Sequence, residues 1–150
     1  MRVVVQRVKQ ASVQINQQIH ASIGQGLLIL LGIEHTDEQA DIDWLISKIV
    51  KLRIFNDEQD KMNLSIQDIK GECLIISQFT LHALVKKGNR PSYIRVALPE
   101  KAIPLYEEFI QKMENELPTK VVSGVFGADM KVSLINDGPV TIIMDTKNKE

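Results

Sequence analysis

The first third of the chain alternates apolar and polar residues in the manner of strands. Val3–Val8 is short and β-branched, Val13 and Ile15 alternate with Ser12 and Gln14, and Ile19–Ile23 alternates again. Asn16-Gln17-Gln18 and Gly24-Gln25-Gly26 are the breaks between them, and Leu27–Ile33 is apolar almost throughout, which predicts a strand buried on both faces. The period then changes. Ile42, Leu45, Ile46, Ile49 and Val50 fall at i, i+3, i+4, i+7 and i+8, the spacing of one buried helical face. Thr36 and Gln39 fit a capping box, so this helix is predicted to open at Thr36 and to end near Phe55, before the polar loop Asn56–Asp60.

A strand is predicted over Glu72–Phe79. The segment Thr80–Pro99 is irregular, and a second helix carries Ala102, Leu105, Tyr106, Phe109, Ile110, Met113 and Leu117 on one stripe. Pro104 marks either its regular start or a kink, and Pro118 its end. Thr119–Ser123 reads as a strand and Gly124–Ala128 as a bend. Val132–Ile135 and Val140–Met144 flank Asn136-Asp137-Gly138-Pro139, which predicts a hairpin, with Pro139 at the start of its second strand in a trans peptide. The order is strands, helix, strand, helix, strands, without regular β-α-β alternation. It predicts an α+β fold, a mostly antiparallel sheet curled towards a barrel with two main helices, in a single domain over residues 1–150.

Composition changes this picture little. The chain has 150 residues, 44% of them hydrophobic and 25% charged, as in a globular domain with a sizeable core. A net charge of −1 gives no global attraction to nucleic acid or to an anionic membrane, so a polyanionic partner needs a local basic patch. The single cysteine, Cys73, lies in an apolar strand and reads as an inert core residue; it excludes an internal disulfide and fits a reducing cytoplasm. No apolar run reaches membrane length and no signal peptide is evident, so a cytoplasmic protein without a membrane partner is expected.

The familiar catalytic sets are missing. His20, His35 and His82 sit on three elements, and no H-E-x-x-H, C-x-x-C, P-loop or G-x-S-x-G is present. Asp57, Glu58 and Asp60 lack the helix–loop–helix context of a calcium loop, so no metal and no cofactor is expected. Two stretches remain. Ser77-Gln78-Phe79-Thr80 ends an apolar strand in polar groups, where backbone N–H groups can stabilise an oxyanion without an acid or base side chain. The alternative there is a strand end whose hydroxyls satisfy a turn. Leu81–Leu98 contains no acid and carries Lys86, Lys87, Arg90 and Arg95 with Tyr93 among them, either an RNA-binding patch or a solvated basic loop.

Together these stretches resemble one family. Ser77-Gln78-Phe79-Thr80-Leu81, Lys87-Gly88-Asn89-Arg90-Pro91-Ser92, Phe126-Gly127-Ala128-Asp129-Met130 and Asn136-Asp137-Gly138-Pro139-Val140-Thr141 follow the order and spacing of the D-aminoacyl-tRNA deacylases, and Met1–Val8 matches too. The resemblance spans essentially the whole chain. It implies a homodimer that hydrolyses the ester between a D-amino acid, or glycine, and the terminal ribose of tRNA, with no DNA partner. It implies that Ser77, Gln78, Phe79 and Thr80 form the floor of the catalytic pocket, with the Phe79 and Thr80 amides facing the ester. Gly138 and Pro139 would form a cis dipeptide that enters the other subunit's site and rejects L-amino acids, with Arg7 supporting it. Phe126 and Met130 would shape an adenosine pocket, and Lys86, Lys87, Arg90 and Arg95 would be tRNA contacts. Leu84 departs from the family, which often has an acidic residue there.

Overall fold

A computed structural model describes residues 1–150. Its strands are β1 (Arg2–Ile15), β2 (Gln18–Ile23), β3 (Gly26–Gly32), β4 (Phe55–Asn56), β5 (Met62–Leu64), β6 (Glu72–Ser77), β7 (Val121–Ser123) and β8 (Lys131–Asp145). Helix α1 spans Gln39–Ile49, α2 spans Pro99–Glu116, and a 3-10 turn covers Phe79–His82.

β1 is the spine of the sheet. The two short strands expected between Val3 and Ile15 are one, continuous through the exposed Lys9 and Gln10, with irregular pairing to β8 on either side of Val8. One edge pairs first with β3 and then with β2; the other pairs along its length with β8, all antiparallel. Asn16 and Gln17 both take positive φ, 51° and 64°, in the β1–β2 turn, the backbone sign that matches strand twist in two-residue hairpins. Beyond β3 the sheet continues through β6 and β7 in parallel pairings, linked by α1 and α2. The α+β class and the mostly antiparallel sheet are as expected, and the parallel part is what the sequence order did not reveal. The sheet curls until β2 returns to the β6–β7 side. There the Gly24 N–H donates to the Glu72 carboxylate at 2.7 Å and Lys120 Nζ to the Ser22 carbonyl at 2.5 Å.

Both faces of the central strands are buried, which explains the unbroken apolar run of β3. Leu27, Ile29, Leu31, Cys73 and Ile75 face the helices, packing with Ile42, Leu45, Ile49, Phe109 and Met113. Leu28, Leu74 and Ile76 face the inside of the curl with Val8, Val13 and Ile23. Burying a side chain the size of Phe109 contributes about 2–3 kcal/mol.

Several boundaries differ from the sequence reading: β6 ends at Ser77 rather than Phe79, which opens the 3-10 turn, and β7 begins at Val121 rather than Thr119. α1 opens at Glu38 rather than Thr36, because Asp37 is already committed: its carboxylate accepts the Glu34 N–H at 2.8 Å and pairs with the buried Met1 ammonium. The capping box is Glu38 with Asp41, whose Oδ2 accepts the Glu38 N–H at 2.9 Å. α1 also ends at Ile49 rather than near Phe55, since Phe55 belongs to the small β4–β5 hairpin, in whose loop Asp57 accepts the Gln59 N–H at 2.9 Å. In α2, Pro99 sits in the first turn, where its missing N–H costs nothing, and the helix continues through Pro104.

The largest correction concerns residues 132–144. They are not a hairpin. β8 is a single strand that stays on β1 throughout, with Thr141 opposite Gln6 and Asn136 opposite Val8. Asp137–Val140 therefore stand against Arg7 alone, and the surplus backbone bulges out. A hairpin would need its second run to pair with its first, but β1 is long enough to pair with both.

Candidate functional site

The parallel ladder of β3 on β6 ends with Leu31 beside Ser77. The Gln78 N–H then donates to the Leu31 carbonyl at 2.8 Å, and the chain turns into the 3-10 segment. The first N–H groups of such a turn, here those of Phe79 and Thr80, have no partner within it. The Gln78 side-chain amide donates to Thr80 Oγ1 at 2.5 Å. The Phe79 ring is about half exposed and meets Tyr93 edge-on, with centroids 5.0 Å apart.

Beside this strand end is a cleft of about 280 Å3, lined by Ser77, Gln78 and Phe79 on one side and by Phe126, Asp129 and Met130 on the other. Thr80, in the 3-10 turn, does not line it, whereas Ser77, Gln78 and Phe79 of the expected floor share this one cavity with Phe126 and Met130. The bend after β7 makes this possible. A Cβ on Gly124 would lie 2.4 Å from Met130 Sδ, so only glycine lets Met130 fold back there. Phe126 is braced by Tyr106, with ring centroids 5.9 Å apart. No histidine lines the cleft, and its one carboxylate, Asp129, is exposed and paired with Lys131 at 2.7 Å.

Tyr106 was legible only as a core residue of α2. Its hydroxyl donates to the Ile75 carbonyl at 2.9 Å, which ties α2 to the strand that ends in Ser77. Burial pushes its phenol up to about 12, against hydrogen bonding with the Ser123 side chain and the Ser77 backbone. A phenol held protonated by the fold contributes stability that is present below the ordinary phenol range near pH ~10 and is lost as pH rises through the folded value. Tyr106→Phe is expected to cost about 1 kcal/mol at neutral pH, since the Ile75 carbonyl still accepts the Gly124 N–H. It should also flatten the alkaline loss of stability between about pH 10 and pH 12 seen in the parent. Denaturant unfolding across that range reads both effects.

Arg7 lies under the β8 bulge, buried at 7% exposure. Its Nε donates to the Asp137 carbonyl at 2.7 Å, and its Nη1 to the Ile54 carbonyl at 2.6 Å and to Asn56 Oδ1 at 3.2 Å. Asn136 closes the bulge from the other side: its Oδ1 accepts the Val140 N–H at 2.8 Å, and its Nδ2 donates to the Val140 carbonyl at 3.2 Å. Gly138, at φ +148°, occupies a conformation that side chains disfavour, and its peptide to Pro139 is cis, where the residues alone predict trans. Both residues are exposed and neither lines the cleft of their own chain.

Lys86, Lys87 and Arg90 project from the tip of a loop, and neither they nor Arg95 forms an ion pair. The loop is closed by Leu84, whose N–H and carbonyl both bond Ser92, at 2.8 and 3.0 Å. That closure uses backbone only, so an apolar side chain at Leu84 leaves it intact. Cys73 is fully buried and its thiol is pushed up by that burial, which fits an inert core residue.

Two supports of the 3-10 turn left no signal in the sequence. Arg2 donates to the Leu81 carbonyl at 2.6 Å while pairing with Asp145. His82, the last residue of the turn, is itself buried, its Nδ1 3.8 Å from a Glu34 carboxylate oxygen and its Nε2 without a partner.

This geometry has relatives. Residues 4–145 match the family model described as D-Tyr-tRNA(Tyr) deacylase. The D-aminoacyl-tRNA deacylase of Flavobacterium psychrophilum is 65% identical over 150 residues, with both chains covered completely. A solved structure titled c-Myc DNA Unwinding Element Binding Protein superposes with a TM-score of 0.93 at 39% identity, covering 97% of this chain and 99% of that one. Another, titled as a structural analysis of a probable eukaryotic D-amino acid tRNA deacylase, gives 0.83 at 16% identity over 95% and 97%, a likeness of fold. The chain belongs to the D-Tyr-tRNA(Tyr) deacylase family.

Proposed function

We propose that the protein hydrolyses the ester of D-aminoacyl-tRNA, and of glycyl-tRNA, to free amino acid and tRNA, and spares L-aminoacyl-tRNA. The observation that carries this reading is the cleft that brings Ser77, Gln78 and Phe79 together with Phe126 and Met130 while offering no paired acid and base. Catalysis then rests on the Phe79 and Thr80 amides, which stabilise the oxyanion as it forms. A water, or a ribose hydroxyl of the tRNA, completes the proton transfers. No cofactor or metal enters this scheme.

In this reading the protein works as a homodimer in the cytoplasm, the whole chain forming one deacylase domain. The carbonyls of Gly138 and Pro139 enter the partner's cleft and exclude an L side chain. The bulge is exposed, held by Arg7 and Asn136, and has no cleft of its own chain to serve. A rigid backbone wedge rejects by clash at Cα and is indifferent to the side chain, which suits an enzyme that must accept many D-amino acids. Lys86, Lys87, Arg90 and Arg95 contact the phosphates of tRNA rather than DNA.

The decisive measurement is release of D-tyrosine against L-tyrosine from charged tRNA. Fast release of the D isomer and negligible release of the L isomer are expected; equal rates, or no release, would refute the reading. Thr80→Ala separates backbone from side-chain catalysis. The Thr80 hydroxyl accepts from an amide and has no base beside it. Activity within about tenfold of the parent is expected, whereas loss of a true nucleophile costs on the order of 10^6.

A further inference from the structure

Along β8, beyond the bulge, the chain has a second and larger hollow. It is a groove of about 840 Å3 between α1 and the end of β8, lined by Trp44, Lys48, Lys51, Arg53, Ile143 and Lys149 among others. Glu150 is its only acid. The Lys48 and Lys149 ammonium groups lie 5.9 and 4.9 Å from the centroid of the Trp44 ring. The indole gathers two cations by its quadrupole and leaves their charge in place. None of the four cations forms an ion pair, although nearby lysines do: Lys112 with Asp43, and Lys147 with Asp41 at 3.0 Å. In a chain of net charge −1, Lys48 and Lys149 at the indole, with Lys51 and Arg53 along the same groove against the single carboxylate of Glu150, give a locally positive site.

We propose that this groove binds the sugar–phosphate backbone of the tRNA substrate, away from the reacting 3′ end. The inference rests on the deacylase reading for the identity of the polyanion. The groove is continuous with the bulge by two routes. β8 runs from Gly138-Pro139 directly into Ile142–Met144 of the groove wall, and its outer edge is unpaired within the chain. Leu52 and Arg53 of the opposite wall precede Ile54, whose carbonyl holds Arg7. An RNA whose acceptor end reaches the bulge has its following phosphates within the field of these cations. Ile143, 68% exposed, offers the sugar edge an apolar contact.

The test uses the full chain and an uncharged tRNA transcript, titrated over a range of salt concentrations. Combining Lys48→Ala, Lys51→Ala and Lys149→Ala is expected to weaken binding at least about tenfold at low salt and to lower the slope of log K against log salt by about 2–3. The rate of hydrolysis of a D-aminoacyl-adenosine ester, which has no tRNA body, stays unchanged, while kcat/KM on D-aminoacyl-tRNA falls. Unchanged affinity and slope would overturn the proposal, as would a change in oligomeric state with tRNA affinity intact. If the triple variant melts early, Glu150→Lys decides, because it adds a cation at an exposed position and must tighten tRNA binding; no gain would count against the groove. A parent protein that cleaves neither ester, yet binds tRNA through these lysines, would refute the deacylase reading and leave the groove standing.

Discussion

Arg7→Ala is expected to lose both stability and chiral discrimination. The buried guanidinium joins three segments: β1, the Leu52–Asn56 stretch through the Ile54 carbonyl and Asn56 Oδ1, and the β8 bulge through the Asp137 carbonyl. Alanine leaves two carbonyls without their charged donor in a site that water reaches poorly. Charge-assisted bonds of this kind contribute about 1.5–3 kcal/mol each, and partial rehydration keeps the net loss near 3 kcal/mol. Tm should fall by about 6–12 °C in a chain of this length. With Gly138 and Pro139 acting as the proposed filter, their carbonyls, released from Arg7, lose a fixed direction, so the ratio of D to L release should fall by more than about tenfold, equivalent to about 1.4 kcal/mol. Arg7→Lys keeps the charge but has no planar fork to hold two carbonyls, so it should recover some stability and little selectivity. Selectivity intact in a stably folded Arg7→Ala protein would show that Arg7 is structural only.

Gly26→Ala should be the more damaging change to the fold. A Cβ at this position would sit 1.8 Å from the Glu72 carbonyl oxygen and 2.7 Å from Glu72 N, so the clash is with backbone that no rotamer relieves. Gly26 is the first residue of the parallel ladder between β3 and β6, opposite Glu72, and the same ladder ends at Leu31 opposite Ser77. Forcing the strands apart at Gly26 breaks the start of the ladder whose far end positions Ser77 at the cleft. A cost of at least about 4 kcal/mol is expected, in the range reserved for severe backbone or core disruption. Thermal melting and soluble yield will read it. Gly24→Ala is the control for a glycine with ordinary φ and ordinary space, its Cβ meeting only the Glu72 carboxylate at 3.8 Å, and a similar loss there would argue against the close-approach explanation.

Most of the elements were legible because their periods are local. The double-sided run of Leu27–Ile33, the α2 stripe and the apolar strand from Glu72 appear where apolar spacing placed them, the last ending at Ser77 rather than Phe79. The capping of α1 was misread because Asp37 is committed to Glu34 and Met1, partners that no local pattern names. The hairpin at Asn136–Pro139 was misread for a similar reason. Two short apolar runs around a turn cluster normally pair with each other, but here a longer strand, β1, takes both.

Of the candidate site, the sequence supplied the residue types and, through the family motifs, their grouping: Ser77–Thr80, Phe126 with Met130, Gly138-Pro139 and Arg7. Tertiary structure alone decided how they meet. It put Ser77, Gln78 and Phe79 into one cleft with Phe126 and Met130, and set Arg7 of β1 beneath an exposed bulge carrying Gly138 and Pro139, which do not line that cleft. Tyr106, Arg2 and His82 became visible as supports of the strand end and its turn only once distant segments were packed on them. The physical reason is range. Alternation, helical stripes and turn residues act over a few positions and are written in the chain, whereas the bulge, the shared cavity and the basic groove at Trp44 arise from contacts between residues far apart in sequence.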